Sequence, residues 1–285
     1  MTSDTVSGIL TAVADEVARS RDTLNRLDAA AGDGDLGVTM FAAAAAVKQV
    51  ASEPQVDLAS LLRACGMQIA KVAPSTCGTL VATGFLAAAR APDEPSGPPL
   101  KRLARLLAAA EAGIEQRGKA KPGDRTVLDA LAPAVEALTG AASEGLDLEA
   151  ALQRAAEAAR AGAERTAEME PRAGRARWLG ERSRGHPDAG AVLVALVFEF
   201  AYRYLGLTAD RQAGWHQPGG PPPGAGSLGP RPKDHIEPAS KGRGTRISTI
   251  QLRDVQAHVG ADRASLIRPL ADCSTKENKQ KGEQR

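Results

Sequence analysis

Hydrophobic positions in the first 210 residues recur every three or four residues, which is the spacing of an amphipathic α-helix. The series Leu58, Leu61, Leu62, Cys65 and Ile69 shows it clearly. The pattern predicts eight helices, at roughly residues 5–26, 37–51, 57–72, 77–90, 99–117, 125–139, 147–169 and 189–206. No segment alternates with a period of two for long enough to be a convincing strand. Because the connections are short and contain Gly, Pro or Asp, we expect an all-α fold in which neighbouring helices run antiparallel.

The last part of the chain, residues 211–285, departs from this pattern. It contains 8 of the 18 prolines and a single aromatic residue, Trp215. A segment so poor in large apolar groups buries too little surface to offset its ordering entropy. We therefore expect a helical domain over residues 1–210 and a largely disordered tail over 211–285. The tail is interpreted either as a solvated appendage or as a recruiting arm.

Amino-acid composition favours a helical protein of a reducing compartment. Aromatic residues make up only 3% of the 285, so the core must be built from Ala, Leu and Val packed closely, which suits helices. Three scattered cysteines indicate a reducing compartment, and hence the cytoplasm. The most apolar stretch, 189–198, is too short to span a bilayer and ends at Glu199. The tail is basic and the body mildly acidic, so neither a membrane nor nucleic acid is a predicted partner.

Candidate chemistry begins in the loop after the first predicted helix, which reads LDAAAGDGDLG over residues 27–37. Asp28, Asp33 and Asp35 place three carboxylates within eight residues, and their mutual repulsion would be relieved by a cation. Carboxylate oxygens suit Mg²⁺ or Ca²⁺, but an EF-hand would need a Glu where Ala44 stands. The alternative is a solvent-facing turn in which the Asp residues serve only as helix caps.

Three further segments admit both a binding and a structural interpretation. Residues 73–79, APSTCGT, precede a predicted helix and are either an anion site or an ordinary cap. Residues 118–126 contain a Pro-Gly-Asp turn in which Asp124 is a candidate helix cap. Residues 174–190 are rich in Arg and Gly, and Arg175 is a candidate phosphate ligand or part of a solvated basic loop. In the same segment Asp188, followed by Gly190, is typical of a helix entry.

Together these segments resemble the nucleotide-binding L subunit of dihydroxyacetone kinases, equivalently the C-terminal domain of the single-chain enzymes. The resemblance runs from about residue 5 to 207. It rests on LDAAAGDGD, GKAKPGDRTVLDAL and GRARWLGERSRGHPDAGA, which occur in the family's order. It implies a closed, antiparallel eight-helix barrel with a nucleotide, ADP or ATP, bound at one end.

The resemblance also implies roles for individual residues. Two Mg²⁺ ions would be held by the acidic residues, which would also be the catalytic ones: Asp28, Asp33 and Asp35. The nucleotide would be bound by residues from several segments, namely Gly37, Val38, Thr39, Thr76, Cys77, Gly118, Val127, Arg175, Asp188, Ala189 and Gly190.

The reaction implied is phosphoryl transfer to dihydroxyacetone held on a separate K subunit, so that this chain acts as a kinase only with that partner. Either ATP is the donor, or a phosphotransferase-system protein rephosphorylates bound ADP. Alternatives are a related kinase domain for another acceptor and a nucleotide-binding regulator with little turnover. The chain departs from the family at Leu36, which replaces a His, and at Pro74 and Cys77 in a loop that is usually glycine-rich. Leu36 has no side-chain donor for a phosphate, and Pro74 stiffens its loop.

Overall fold

The computed structural model describes residues 3–92, 94, 97–173 and 185–214, and every regular element within those ranges is helical. A short 3₁₀ turn, Thr166–Glu168, accompanies nine described α-helices. They are α1 (Ser3–Arg19), α2 (Arg21–Ala31), α3 (Leu36–Ser52), α4 (Leu58–Val72), α5 (Thr76–Ala88), α6 (Pro99–Gly118), α7 (Leu128–Glu144), α8 (Leu148–Arg165) and α9 (Ala189–Gly214). The prediction of an all-α fold is confirmed.

Eight of the described helices close into a ring. Helix α1 contacts α3, contacts then pass in order through α4, α5, α6, α7, α8 and α9, and α9 returns to α1. The first residues of α3, α5, α7 and α9 (Leu36, Thr76, Leu128 and Ala189) all line one cavity. Alternate helices therefore begin at the same end of the ring, and their neighbours run in the opposite direction. The predicted closed antiparallel eight-helix barrel is confirmed, with α2 as an additional helix packed on α3 and α9.

Several predicted helix boundaries are wrong, and the helix predicted over 125–139, for example, runs from Leu128 to Glu144. The segment predicted as one helix over 5–26 forms two helices that break at Ser20, because the chain must turn there to bring α2 beneath the start of α3. The last helix continues to Gly214 rather than ending near 206. Apart from the first four residues of the predicted tail, which belong to α9, residues 211–285 lie outside the described residues. The boundary at 210 and the disorder of the tail therefore stay predictions.

Side-chain caps mark where several helices begin. Asp57 accepts a hydrogen bond from the backbone N–H of Ser60 at 2.7 Å, and Asp147 accepts one from Ala150 at 2.8 Å. Each bond satisfies one of the N–H groups that the first turn of a helix leaves without a helical partner.

Small residues set the helix spacing that an aromatic-poor core requires. Gly66 of α4 is buried against α5, where a Cβ at this position would lie 2.8 Å from the Cγ of Leu86. Leu61, Cys65 and Ile69, on the same face of α4, are completely buried. The core is thus made of aliphatic side chains interlocked at short helix–helix distances, as the composition predicts.

Among the described residues, α9 is the one helix that combines the length and the hydropathy of a membrane span. The segment Ala189–Leu207 is long and apolar enough to cross a membrane, so the expectation that this stretch is too short is wrong. In the structure, however, α9 is one wall of the ring, where it packs on α8 and α1 and buries Val192, Leu193 and Leu196. Core helices of folded domains pass the same length test, so the packing favours that interpretation.

Candidate functional site

The end of the barrel at which alternate helices begin contains a cavity of about 190 Å³. Its walls come from the α2–α3 loop, the start of α5, the end of α6, the loop before α7 and the start of α9. Ten residues predicted from the sequence line it: Asp28, Asp33, Asp35, Thr76, Cys77, Gly118, Val127, Asp188, Ala189 and Gly190. The fold therefore brings together segments that lie as far apart in the chain as residues 28 and 190.

The acidic loop holds its three carboxylates close together. Oxygen atoms of Asp28, Asp33 and Asp35 all lie within 4.8 Å of one another, Asp28 being half-buried and the other two exposed. The Oδ2 atom of Asp28 accepts hydrogen bonds from the backbone N–H groups of Gly34 at 2.9 Å, Asp35 at 3.0 Å and Leu36 at 3.3 Å. Asp28 thus both shapes the loop and contributes an oxygen to the acidic cluster.

Glycine is required where this loop enters α3. A Cβ on Gly37 would lie 1.9 Å from the carbonyl oxygen of Arg21, so α3 crosses α2 at a distance that only glycine allows. Gly34 has a φ of +79°, in the left-handed region that side chains disfavour. The backbone geometry that gathers the carboxylates thus depends on glycine at these two positions.

The acidic cluster has the chemistry of a hard-cation site. Three carboxylates, one on the last turns of α2 and two on the loop that follows it, suit Mg²⁺, which binds one or a few carboxylates and completes its shell with water or phosphate oxygens. The convergence of these side chains is as expected from the sequence. Their binding of Mg²⁺ stays a prediction.

The start of α5 forms the opposite side of the cavity. Ser75 caps this helix by accepting a hydrogen bond from the N–H of Gly78 at 3.0 Å, and the positive end of the helix faces the cavity. Burial, followed by the charges of Asp188 and Asp28, raises the pKa of the Cys77 thiol to about 12. Cys77 is therefore a neutral thiol at physiological pH, and this wall offers backbone N–H groups rather than a nucleophile.

Asp188 sits at the start of α9, as predicted for a helix entry. Its Oδ1 accepts a hydrogen bond from the N–H of Ala191 at 2.8 Å, and its own N–H donates to the Thr166 hydroxyl at 2.7 Å. Burial raises the pKa of Asp188 to about 6. The Ala191 N–H and the charge of Arg125 oppose the rise, whereas the charge of Asp129 adds to it.

Sequence reasoning missed two charged residues beside the cavity, Arg125 and Asp129. The Arg125 side chain is 1% exposed and its Nη2 donates to the carbonyl of His186 at 2.7 Å. Asp129 is 4% exposed, and its carboxylate accepts the N–H groups of Gly123 at 2.5 Å and Thr126 at 2.7 Å. Asp129 stands on the flank of α7 that also carries the exposed Glu136, so the helical period did not mark it as a buried residue.

Asp124, the residue proposed from the sequence as a helix cap, closes a turn before α7 instead. It accepts a hydrogen bond from the N–H of Lys121 within its own turn, and α7 begins four residues later. The capping interpretation of Asp124 is therefore wrong, and Asp129 is the carboxylate that organises this loop.

Three predicted nucleotide ligands on α3 do not line the cavity. Gly37 is buried against α2, and Val38 is 47% exposed with its N–H bonded to Asn25 at 3.2 Å. The N–H of Thr39 is used in a helical hydrogen bond. Arg175 lies outside the described residues, as does most of its Arg-rich segment. The roles predicted for these four residues stay predictions.

The geometry and the sequence agree with one family. The chain matches the DAK2 domain over residues 30–203, and it therefore belongs to the DAK2-domain family. It is 32% identical over 191 residues to the "PEP-dependent dihydroxyacetone kinase, ADP-binding subunit DhaL" of Escherichia coli. That match covers 67% of this chain and 91% of the E. coli protein.

Longer kinases contain a similar region. The "L-erythrulose kinase" of Pectobacterium atrosepticum is 36% identical over 197 residues, a match covering 68% of this chain and 33% of that protein. The crystal structure of the dihydroxyacetone kinase from C. freundii in complex with AMP-PNP and Mg²⁺ superposes with a TM-score of 0.54 at 31% identity. This match covers 70% of the chain and 33% of the enzyme, so the chain corresponds to about a third of each longer kinase.

Proposed function

We propose that this chain is the nucleotide-binding, phosphoryl-transfer subunit of a dihydroxyacetone-type kinase. The observation that carries the proposal is the meeting of three carboxylates and four helix starts at one cavity. The carboxylates attract a divalent cation, and the helix starts attract an anion. A magnesium-bound di- or triphosphate is a ligand that satisfies both.

The acidic cluster is the proposed metal site. Asp28, Asp33 and Asp35 would hold Mg²⁺, which neutralises phosphate oxygens when it is bound. The backbone hydrogen bonds to Asp28 keep one carboxylate in place before any ligand arrives. The acidic loop of this chain would thus bind and orient the phosphates. The AMP-PNP and Mg²⁺ present in the C. freundii structure support this ligand class.

The other side of the cavity suits a nucleoside. Leu80, Ile114 and Leu128 provide an apolar surface next to Gly118 and Val127. A purine ring gains free energy from contact with such a surface. Because the cavity is smaller than the roughly 300–1,000 Å³ of typical ligand sites, the phosphates would extend from it over the exposed acidic loop.

The names of the relatives support a proposal for the partner and the donor. The E. coli relative, which this chain matches over most of its length, is named as an ADP-binding subunit of a PEP-dependent kinase. We therefore propose that ADP stays bound and is rephosphorylated by a phosphotransferase-system protein, and that dihydroxyacetone is presented by a separate K subunit. ATP as the donor is the competing possibility, supported by the likeness to longer kinases.

Calorimetric titration of the full chain with ADP, with and without Mg²⁺, tests the binding step. We expect about one ADP per chain with Mg²⁺ and greatly weakened binding after chelation. The absence of magnesium-dependent binding would refute the proposed site.

A second candidate differs only in the acceptor. The similarity to L-erythrulose kinase favours another ketose in place of dihydroxyacetone. Phosphoryl transfer assayed with a supplied K-type subunit, with dihydroxyacetone and erythrulose compared in parallel, distinguishes the two. Transfer to neither ketose would instead favour a nucleotide-binding regulator.

A further inference from the structure

Arg125 occupies an unusual position in the loop between α6 and α7. Its side chain is almost completely buried, and its φ of +62° lies in the left-handed region although it is not glycine. A buried charge and a left-handed backbone each cost free energy, so both persist only where surrounding contacts specify them.

Hydrogen bonds fix both the backbone and the side chain of Arg125. The carboxylate of Asp129 accepts the N–H groups of Gly123 and Thr126, which flank Arg125 and keep the backbone in its turn. The guanidinium then reaches across to a segment 61 residues further along the chain, where Nη2 donates to the carbonyl of His186. Its charge also acts on Asp188, two residues after His186.

The two segments joined in this way form one wall of the cavity. Val127 follows Arg125 by two residues, and its Cγ1 would lie 3.1 Å from a Cβ on Gly190. Val127, Asp188 and Gly190 all line the cavity. The separation between the α6–α7 loop and the start of α9 thus helps to set the width of the binding site.

We propose that Arg125 is a positioning residue for the nucleotide. Through the His186 carbonyl and Asp188, its guanidinium holds the first turn of α9 against the α6–α7 loop. The cavity wall formed by Val127 and Gly190 depends on this link. The identity of the ligand rests on the proposed function, whereas the link itself is a property of the fold.

The acidic loop offers an internal reference, because it belongs to α2 and α3 and contains none of these residues. Loss of the guanidinium should therefore loosen the nucleotide wall and leave the metal cluster intact. A general loss of folding would affect both.

Three variants of the full chain test the proposal. Arg125→Met removes the charge at similar length, Arg125→Lys keeps it, and Arg154→Met removes an exposed arginine that pairs with Glu144. Mn²⁺ alone probes the acidic loop, Mg²⁺ with ADP probes the complete site, and amide hydrogen exchange over residues 189–192 probes the start of α9.

We expect Arg125→Met to weaken Mg²⁺-dependent ADP binding about tenfold and to speed exchange at the start of α9. Mn²⁺ affinity should change by less than about twofold, since no hydrogen bond or ion pair joins Arg125 to the acidic loop in the part of the chain that the structure describes. Arg125→Lys should recover most of the ADP affinity, and Arg154→Met should match the wild type.

Unchanged ADP affinity and unchanged exchange in a folded Arg125→Met variant would overturn the inference. Equal losses of Mn²⁺ and ADP affinity would overturn it too, because they would indicate general damage. If the wild type binds no ADP, the proposed function fails, and the exchange measurement alone still decides whether Arg125 holds α9.

Discussion

Two groups of charges lie at or beside the same cavity, and the fold exposes most of one group and buries most of the other. The acidic loop gathers Asp28, Asp33 and Asp35 within eight residues, and two of the three side chains are exposed. The second group, here called the buried group, consists of the buried Arg125 and Asp129 and the half-buried Asp188, which come from two loops and α7. The carboxylates of the first group repel one another. The second group contains opposite charges, and backbone N–H donors offset the free-energy cost of burying them.

The exposed carboxylates are available to bind a ligand, whereas the buried charges stabilise the fold. Water and counter-ions screen the exposed carboxylates, so their convergence costs little until a cation replaces that water. Buried charges have no such screening and must be paired within the protein. We therefore expect changes in the first group to weaken binding with little loss of stability. Changes in the second should lower stability, and should weaken binding only through the cavity wall that these charges hold in place.

The largest expected effect tests the exposed group. Asp33→Ala removes one of three proposed metal ligands, so magnesium-dependent ADP binding should weaken by about 100-fold or more. Because Asp33 is exposed, the melting temperature should hardly change. Calorimetry and thermal unfolding measure the two effects. Glu53→Gln, at an exposed residue after α3, is the matched charge control, and wild-type affinity in Asp33→Ala would contradict the metal assignment.

The buried group should show the converse behaviour. Asp129→Ala leaves the N–H groups of Gly123 and Thr126 without their carboxylate, and we expect a loss of about 2–4 kcal/mol in the free energy of unfolding. Urea denaturation measures it. Asp124→Ala, which removes a more exposed carboxylate that accepts one N–H group, should cost under about 1 kcal/mol. Equal losses in the two variants would mean that burial does not distinguish these carboxylates.

A glycine variant tests the close contact between α2 and α3 that supports the acidic loop. Gly37→Ala places a methyl group against the carbonyl of Arg21, so α2 and α3 must separate, at a cost of about 1–3 kcal/mol. Gly140→Ala is the control, because nothing lies within 4 Å of its added Cβ in α7, and it should stabilise the fold by about 0.5–1 kcal/mol. Unfolding by denaturant measures both. A neutral Gly37→Ala would show that the approach of α2 to α3 is not required.

How well each group could be predicted follows from how far apart its members lie in the sequence. The acidic loop is local, so the spacing of Asp28, Asp33 and Asp35 alone indicated their convergence. Helical periodicity and short connections also predicted the helices and their antiparallel neighbours, whereas the closed ring was expected only from the resemblance to the dihydroxyacetone kinase family. Its break at Ser20 was not, since apolar residues continue with the helical period across the turn.

The buried group depends on contacts that no local pattern reveals. Arg125 and His186 are 61 residues apart, and the hydrogen bond between them exists only once α7 and α9 have packed. In the sequence Arg125 is indistinguishable from the many exposed arginines of this chain. Its left-handed backbone is imposed by Asp129, so it too follows from the tertiary structure rather than from the residue type.

The last prediction concerns the dependence of stability on pH, which isolates the charge of Asp188. The folded pKa of about 6 exceeds the ordinary value of 3.8, so between these values the folded chain keeps a proton that the unfolded chain loses. The stability of the wild type should therefore fall, relative to Asp188→Asn, as pH rises from about 4 to 6, and then level off. The raised pKa of Asp188 already includes the attraction between its carboxylate and Arg125, because that attraction is lost when Asp188 is protonated. Urea unfolding of both proteins at pH 4, 5, 6 and 7 (roughly spanning the two pKa values) measures the difference. A difference that is flat with pH, or one of opposite sign, would mean that the folded protein does not penalise the charge of Asp188.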